Sequence, residues 1–361
     1  MYTLIPRDQV PLGKCVVLSK FVLQYKLDEH GKVCCCKSHV VTKGFVQRPG
    51  IDYNKTYAPV ALMGSMRAVL HIGATLDWGV HQMDIKTAFL HGDLAEEVYM
   101  AQLMGGKEPG KEDWVGCLNK TLYSLMQAAQ GWNQRLHRTM VDNGYARVSV
   151  NHCVYTQSSE LGTSLVAIHV DNMCATASSP AEMQSLKNDL KSAFDLVDLG
   201  EVHFLLGIAI LWDRTTQMIS LSQKAYVKKI TKCLHLEDAH PVTMPLDPNI
   251  MLSKSLSPTT DNDKAEMAQI PYLTAVGSII YAASGTRINV AFAVQHLSQF
   301  SSNPGCAHWT ATQHMIGYLY TTQDHALVLG GSGDITLHGF MDSDWGVDVD
   351  QDSLSPATFS H

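Results

Sequence analysis

Alternation of apolar and polar residues marks the start of the chain. VVLSKFVLQYKL and KSHVVTKGFVQ flank the turn signal DEHGK, which predicts a hairpin within a first seventy residues of short strands and turns. After the loop PGIDYNKTYAPV, SMRAVLHIGATLDWG carries apolar residues at helical spacing, and VHQMD then begins a strand that ends near Asp84. Residues 119–144 and 180–195 read as helices flanking the strand pair in YTQSSELGTSLVAIHVDNMCATA. This strand-helix-strand-strand-helix order predicts an α+β sheet with its helices on one face. VHFLLGIAILW and QMISLSQ bracket DRTTQ as a second hairpin, followed by the helix QKAYVKKITKCLHL. PLDPNIMLSKSLSPTTDNDKAEMAQ, rich in Pro, Ser, Asp and Thr, reads as a linker. A smaller helical unit runs from PYLTAVGSIIYAASG to HWTATQHMIGYLYTTQ, and ITLHGFMDSDW closes as a strand-like run ending in acidic residues.

At 361 residues, two or three packed units are expected, at about 100 to 200 residues each. Apolar runs such as LGTSLVAIHV break well before the ~20 residues of a membrane helix, so no span is expected. MYTLIPRDQV carries charge early and lacks the pattern of a secretory leader, which predicts an intracellular protein, cytoplasmic or nuclear. Cys34, Cys35 and Cys36 are adjacent and unsuited to a zinc spacing, so the nine cysteines read as free thiols. The seventeen histidines form no HExxH or finger pattern.

Net charge is −7, which works against holding a polyanion, although distribution matters more than the sum. Asp342, Asp344, Asp348, Asp350 and Asp352 gather near the C-terminal end. Lys224, Lys228 and Lys232 recur at i, i+4 and i+8 and share one helix face, either a solvated surface or a phosphate-tracking one.

Candidate chemistry centres on two carboxylates. Asp84, at a strand end, and Asp171, at a hairpin tip, suit a site in which carboxylates converge at a sheet edge on magnesium, the arrangement that in-line phosphoryl transfer requires. Turns favour Asp for local reasons as well, and these two residues alone do not separate the readings.

The surrounding words do. HVVTKGFVQRPGIDYNKTYAPVA, VHQMDIKTAFLHGDLAEEVYM, GCLNKTLYSLMQAAQGW and VDLGEVHFLLGIAI resemble, in order and spacing, the fingers and palm of copia-type retrotransposon reverse transcriptases. Similarity continues through YLTAVGSIIYAASGTRINVAFAVQHLSQFSSNPGCAHW and GFMDSDW, so it covers nearly the whole chain. The resemblance implies a right-hand polymerase with an RRM-like palm sheet and a C-terminal helical connection. Its expected divisions are fingers 1–75, palm 76–200, palm end and thumb-like helix 201–245, linker 246–268, helical connection 269–332 and a ribonuclease H start 333–361. The implied activity is RNA-directed DNA polymerisation with two Mg²⁺ ions, Mn²⁺ being an alternative. RNA template, DNA primer and deoxynucleoside triphosphates are the implied partners.

Residue by residue, Asp84 matches the family's first catalytic Asp and Asp171 the first Asp of its YVDD box. Phe89 falls where a bulky ring lies beneath the incoming sugar and excludes a 2′-hydroxyl; a core aromatic is the other reading. Lys43 sits in the fingers word, either facing a phosphate or as an exposed lysine without a role.

Departures cluster at the chemistry. HVDN stands for YVDD, with His169 for Tyr and Asn172 for the second Asp; Asn offers a carbonyl oxygen but no charge. His39 stands where the family has an Arg expected to grip nucleotide phosphates, and an imidazole has no guanidinium fork. KTLYSLMQAAQGW departs from LYGLKQAPRAW at Ser124, Met126, Ala129 and Gln130, losing a Gly, a Lys, a Pro and an Arg. Together these predict a degenerate copy with weak or no polymerase activity. The alternatives are a non-catalytic nucleic-acid-binding relic, using Lys224, Lys228 and Lys232, and an inert transposon-derived fragment. Asp342 matches the first metal-binding Asp of a ribonuclease H; the chain ends at His361, and the expectation is that RNA in a hybrid stays uncut.

Overall fold

The computed structural model describes residues 2–27, 33–237, 240–247, 249–331, 335, 339–344 and 355–360. The DEHGK turn and Asp348, Asp350 and Asp352 therefore lie outside the described residues. The chain forms two compact units, Met1–Val69 with Gly79–Glu201, and Leu70–Trp78 with Val202–His361. The architecture is mixed α+β, as the element order predicts. Among the described residues no helix is long and apolar enough to cross a membrane.

A six-stranded sheet organises the first unit, in the order Leu196–Glu201, Gly79–Ile85, Asn172–Ala177, Gly162–His169, Val154–Ser159 and Ala146–Arg147, every neighbour antiparallel. Helix α1 (Met63–Thr75) precedes the Gly79–Ile85 strand, while α2 (Ala128–Asp142) and α3 (Pro180–Ala193) pack on one face of the sheet. Spacing explains that packing: Trp132, Leu136 and Met140 of α2 and Met183, Leu186 and Leu190 of α3 recur at three and four residues, and they meet Met83, Ile85, Val166, Ile168 and Met173. Helix α3 starts where Ser179 accepts a hydrogen bond from the Glu182 amide at 3.0 Å, with Pro180 in the first turn. The predicted hairpin is present as Ser19–Leu27 paired with Val33–Thr42. Val17, Val98, Met100, Leu118, Leu122 and Leu125 form a second core in this unit, with Val40 and Phe89 against it.

Two local expectations change. The strand pair in 155–177 is three strands, Val154–Ser159, Gly162–His169 and Asn172–Ala177. The helix expected over 119–144 begins only at Ala128. Ser124 accounts for the late start, because its φ of 68° is left-handed and cannot continue a right-handed helix. Gly44 lies so close to the Ser124 carbonyl that a Cβ there would overlap it. A glycine fits such a backbone without steric cost, so Ser124→Gly is expected to raise stability by about 0.5–1 kcal/mol, read as a higher urea midpoint at unchanged slope.

In the second unit Phe204–Leu205, Ile208–Asp213, Met218–Ser222 and Leu327–Gly330 form a four-stranded sheet. Its helices are α4 (Lys224–Cys233), α5 (Asp261–Met267, within the segment read as a linker), α6 (Tyr272–Gly285), α7 (Ala291–Ser298) and α8 (Cys306–Thr321). Val227, Ile230, Val276, Ile279, Leu297 and Ile316 are among the residues of its core. Gly339–Asp344, which contains Asp342, pairs with Ser355–Ser360.

Candidate functional site

Strand alternation decides where Asp84 points. Met83 and Ile85 are turned into the helix-covered core, leaving Asp84 on the opposite face. Register places Asp84 directly across from Asn172 on one side and Val197 on the other. The His169–Asn172 pair closes a turn in which Val170 and Asp171 are the central residues.

That turn is strained. Val170 has φ 60°, a region that a β-branched side chain occupies at a cost of about 1–3 kcal/mol unless its surroundings enforce it. Two bonds enforce it here. The Trp132 indole N–H donates to the Val170 carbonyl at 2.7 Å, and the Ile85 amide donates to the Asp171 carbonyl at 3.0 Å. The second bond ties Asp171 to the residue after Asp84, so both carboxylates leave from neighbouring backbone. Asn172 Nδ2 donates to Asp171 Oδ1 at 3.1 Å.

Around this edge lie three rings. Phe89, on the single turn Ala88–His91, meets Tyr123 edge-on, with centroids 5.2 Å apart at 84°. His39, on the Val33–Thr42 strand, lies 5.4 Å from the same Tyr123 ring at 59°. Its Nδ1 is buried without a hydrogen-bond partner. Burial, followed by the negative charges of Asp171 and Asp84, pushes the Tyr123 phenol above its ordinary range. Both carboxylates thus act on one hydroxyl. Phe89 and His39 meet the Tyr123 ring, the charges of Asp171 and Asp84 reach its hydroxyl, and Asn172 joins them through its bond to Asp171. Lys43, just past the strand that carries His39, is partly exposed and is not among the residues these ring contacts gather.

Lys224, Lys228 and Lys232 are exposed on α4 in the second unit. Lys224 forms an ion pair with Asp324, whose carboxyl is held low by that hydrogen bond and by the charges of Lys224, Lys228 and His325. Part of this basic face is therefore already engaged.

The donor set can be tested against the implied metal. Asp84 and Asp171 supply hard oxygen ligands and two negative charges, and Asn172 brings an amide, a set that fits one divalent cation better than two. Among the described residues no group of three or more His, Cys, Asp or Glu is gathered for a metal. Tyr123 and Trp132 are the site residues to which sequence reasoning gave no role. Both lie within KTLYSLMQAAQGW, and their aromaticity in a turn and at a helix start was the available signal.

Comparison with known proteins gives the chain a family. The profile of the family described as reverse transcriptase (RNA-dependent DNA polymerase) matches residues 2–248. The chain is 39% identical over 343 residues to the retrovirus-related Pol polyprotein from transposon TNT 1-94 of Nicotiana tabacum, covering 95% of this chain and 26% of that protein. It is 30% identical over 340 residues to the Pol polyprotein from transposon RE1 of Arabidopsis thaliana, covering 94% and 23%. A putative transposon Ty5-1 protein of Saccharomyces cerevisiae is 28% identical over 264 residues, covering 73% of this chain and 83% of that protein. The chain thus spans about a quarter of the length of the tobacco and Arabidopsis Pol polyproteins named above.

Proposed function

The chain belongs to the reverse transcriptase (RNA-dependent DNA polymerase) family, as a retrotransposon Pol region, and on that premise we propose that it is an RNA-directed DNA polymerase domain with a degenerate catalytic set. One observation carries the reading: Asp84 and Asn172 are paired in register, with Asp171 in the adjoining turn. The antiparallel sheet with α2 and α3 on one face supports an RRM-like palm within 76–200, beside fingers at 1–75. The palm end with the thumb-like helix, the linking segment that carries α5, the helical connection and the ribonuclease H start follow at 201–245, 246–268, 269–332 and 333–361. A cytoplasmic or nuclear location follows from the substrates.

In this reading the primer 3′-oxygen bonds to the α-phosphorus of a deoxynucleoside triphosphate as the bond to the pyrophosphate leaving group breaks. Divalent ions, Mg²⁺ or Mn²⁺, supply charge neutralisation when bound. Asp84 and Asp171 would hold such an ion, with Asn172 lending an amide oxygen. Phe89 lies beneath the sugar, His39 occupies the place of a phosphate-gripping cation, and Lys43 faces phosphate. Lys224, Lys228 and Lys232 track the nucleic-acid backbone.

The missing charge at 172 and the missing guanidinium at 39 each cost on the order of several kcal/mol or less of transition-state stabilisation. Primer extension on an RNA template, with Mg²⁺ or Mn²⁺, is therefore expected to be weak or absent, while salt-dependent binding of the template-primer persists. Robust extension that disappears in Asp84→Ala would contradict the degenerate assignment; absence of both extension and binding would favour an inert fragment.

A further inference from the structure

Phe89 cannot act as a wall beneath a sugar unless something holds its ring. Its ring packs in part against the core of Val98, Leu122 and Leu125, and it also borders a cavity of about 310 Å³ shared with Tyr57, Trp132, Leu136, Ile168 and Val170, which leaves it room to swing. Its backbone is fixed: the Thr121 hydroxyl donates to the Phe89 carbonyl, and the Leu90 amide bonds back to Thr87 at 2.7 Å. The ring itself is met edge-on by Tyr123, at 84° and 5.2 Å. Such an edge-to-face pair favours one orientation over others.

Tyr123 is itself anchored. Its carbonyl accepts hydrogen bonds from both the amide and the hydroxyl of Thr42, each at 3.0 Å. Thr42 ends the strand that carries His39, whose ring lies against Tyr123 on its other contact. One tyrosine therefore joins the fingers strand, the sugar-facing ring and the electrostatic neighbourhood of both carboxylates.

We propose that Tyr123 is a positioning residue that sets sugar discrimination, by holding the Phe89 ring where it excludes a ribonucleotide 2′-hydroxyl. The proposal rests on the nucleotide-site reading above. It assigns the work to the ring of Tyr123, since the edge contact with Phe89 needs the aromatic body and not the phenol oxygen. Removing the ring frees Phe89 to move toward the cavity, and a ribose then fits. Removing only the hydroxyl leaves the wall in place.

The experiment compares binding of dGTP and GTP to the full chain on an annealed RNA–DNA template-primer, with Ca²⁺ to suppress chemistry. Parent protein is expected to favour dGTP by about tenfold or more, the scale on which a close-fitting wall rejects an added group. Tyr123→Phe is expected to keep that ratio. Tyr123→Leu is expected to bring it within about twofold by raising GTP affinity, the same change expected of Phe89→Ala. If Tyr123→Leu does not fold, Tyr123→Met, which fills the volume with a flexible chain, is read in the same way. A parent that discriminates together with a folded Tyr123→Leu or Tyr123→Met that discriminates equally overturns the role of Tyr123 and leaves the nucleotide site standing. A ratio lost in Tyr123→Phe also overturns it, because the phenol would then be the agent. A parent that binds neither nucleotide, or both equally, removes the nucleotide-site reading and this proposal with it.

Discussion

Asn172→Asp combined with His39→Arg is expected to raise single-turnover primer extension on an RNA template by on the order of 10²-fold or more over the parent. The first change places a carboxylate directly opposite Asp84, at the register position where an amide now stands. It also removes the Nδ2–H that occupies Asp171 Oδ1, freeing that oxygen for a cation. Three carboxylates at one edge repel one another, so the gain should require divalent ions and the variant should be less stable than the parent in their absence. The second change sacrifices little. His39 Nδ1 is buried and without a partner, so the imidazole contributes no bond through that atom. An arginine at 39 can stack its plane on Tyr123 and extend its fork beyond the ring toward phosphate. Extension that stays at background in a folded, template-binding double variant would mean that the site lacks more than these two groups.

Lys187→Met is the substitution with the largest expected effect on stability. The side chain of Lys187 is 6% exposed and its ammonium lies 2.8 Å from Asp198, which is 30% exposed. The same ammonium meets His81 Nδ1 at 2.9 Å; as lysine can only donate, that ring nitrogen accepts. Breaking a fully buried pair costs about 3–5 kcal/mol, and the partial exposure of Asp198 reduces the expected loss to about 2 kcal/mol. Burial alone would raise the Asp198 carboxyl, but the Lys187 hydrogen bond, the Gly200 amide and the charge of Lys187 outweigh it and hold the group low. A lowered carboxyl stabilises the fold above its unfolded value, near about 3.9, and loses that contribution as pH falls through its folded value. Urea midpoints of parent and Lys187→Met should therefore lie well apart at neutral pH and draw together below about pH 4. A gap that is constant with pH would show that lost packing of the lysine stem, and not the ion pair, is responsible.

The chain displays some of this in its sequence and conceals the rest for identifiable reasons. The placement of Asp84 near a strand end and of Asp171 at a hairpin tip was legible because alternation and turn signals are local properties. The face to which α2 and α3 pack was legible from apolar spacing. Tyr123 was not: its partners Thr42, His39 and Phe89 lie far from it along the chain, and no periodicity links them. The start of α2 was misplaced because a serine at left-handed φ gives no compositional warning, unlike a glycine. Lys187 with His81 and Lys224 with Asp324 are likewise long-range pairs, 106 and 100 residues apart, which single-chain charge patterns do not display.

A proposed polymerase metal site of Asp84, Asp171 and Asn172, short of one carboxylate, is read by counting bound Mn²⁺ with electron paramagnetic resonance. The parent is expected to hold about one ion per chain, with Asn172→Asp increasing occupancy and Asp84→Ala abolishing it. Binding that is unchanged by Asp84→Ala would place the metal elsewhere and rule out this site.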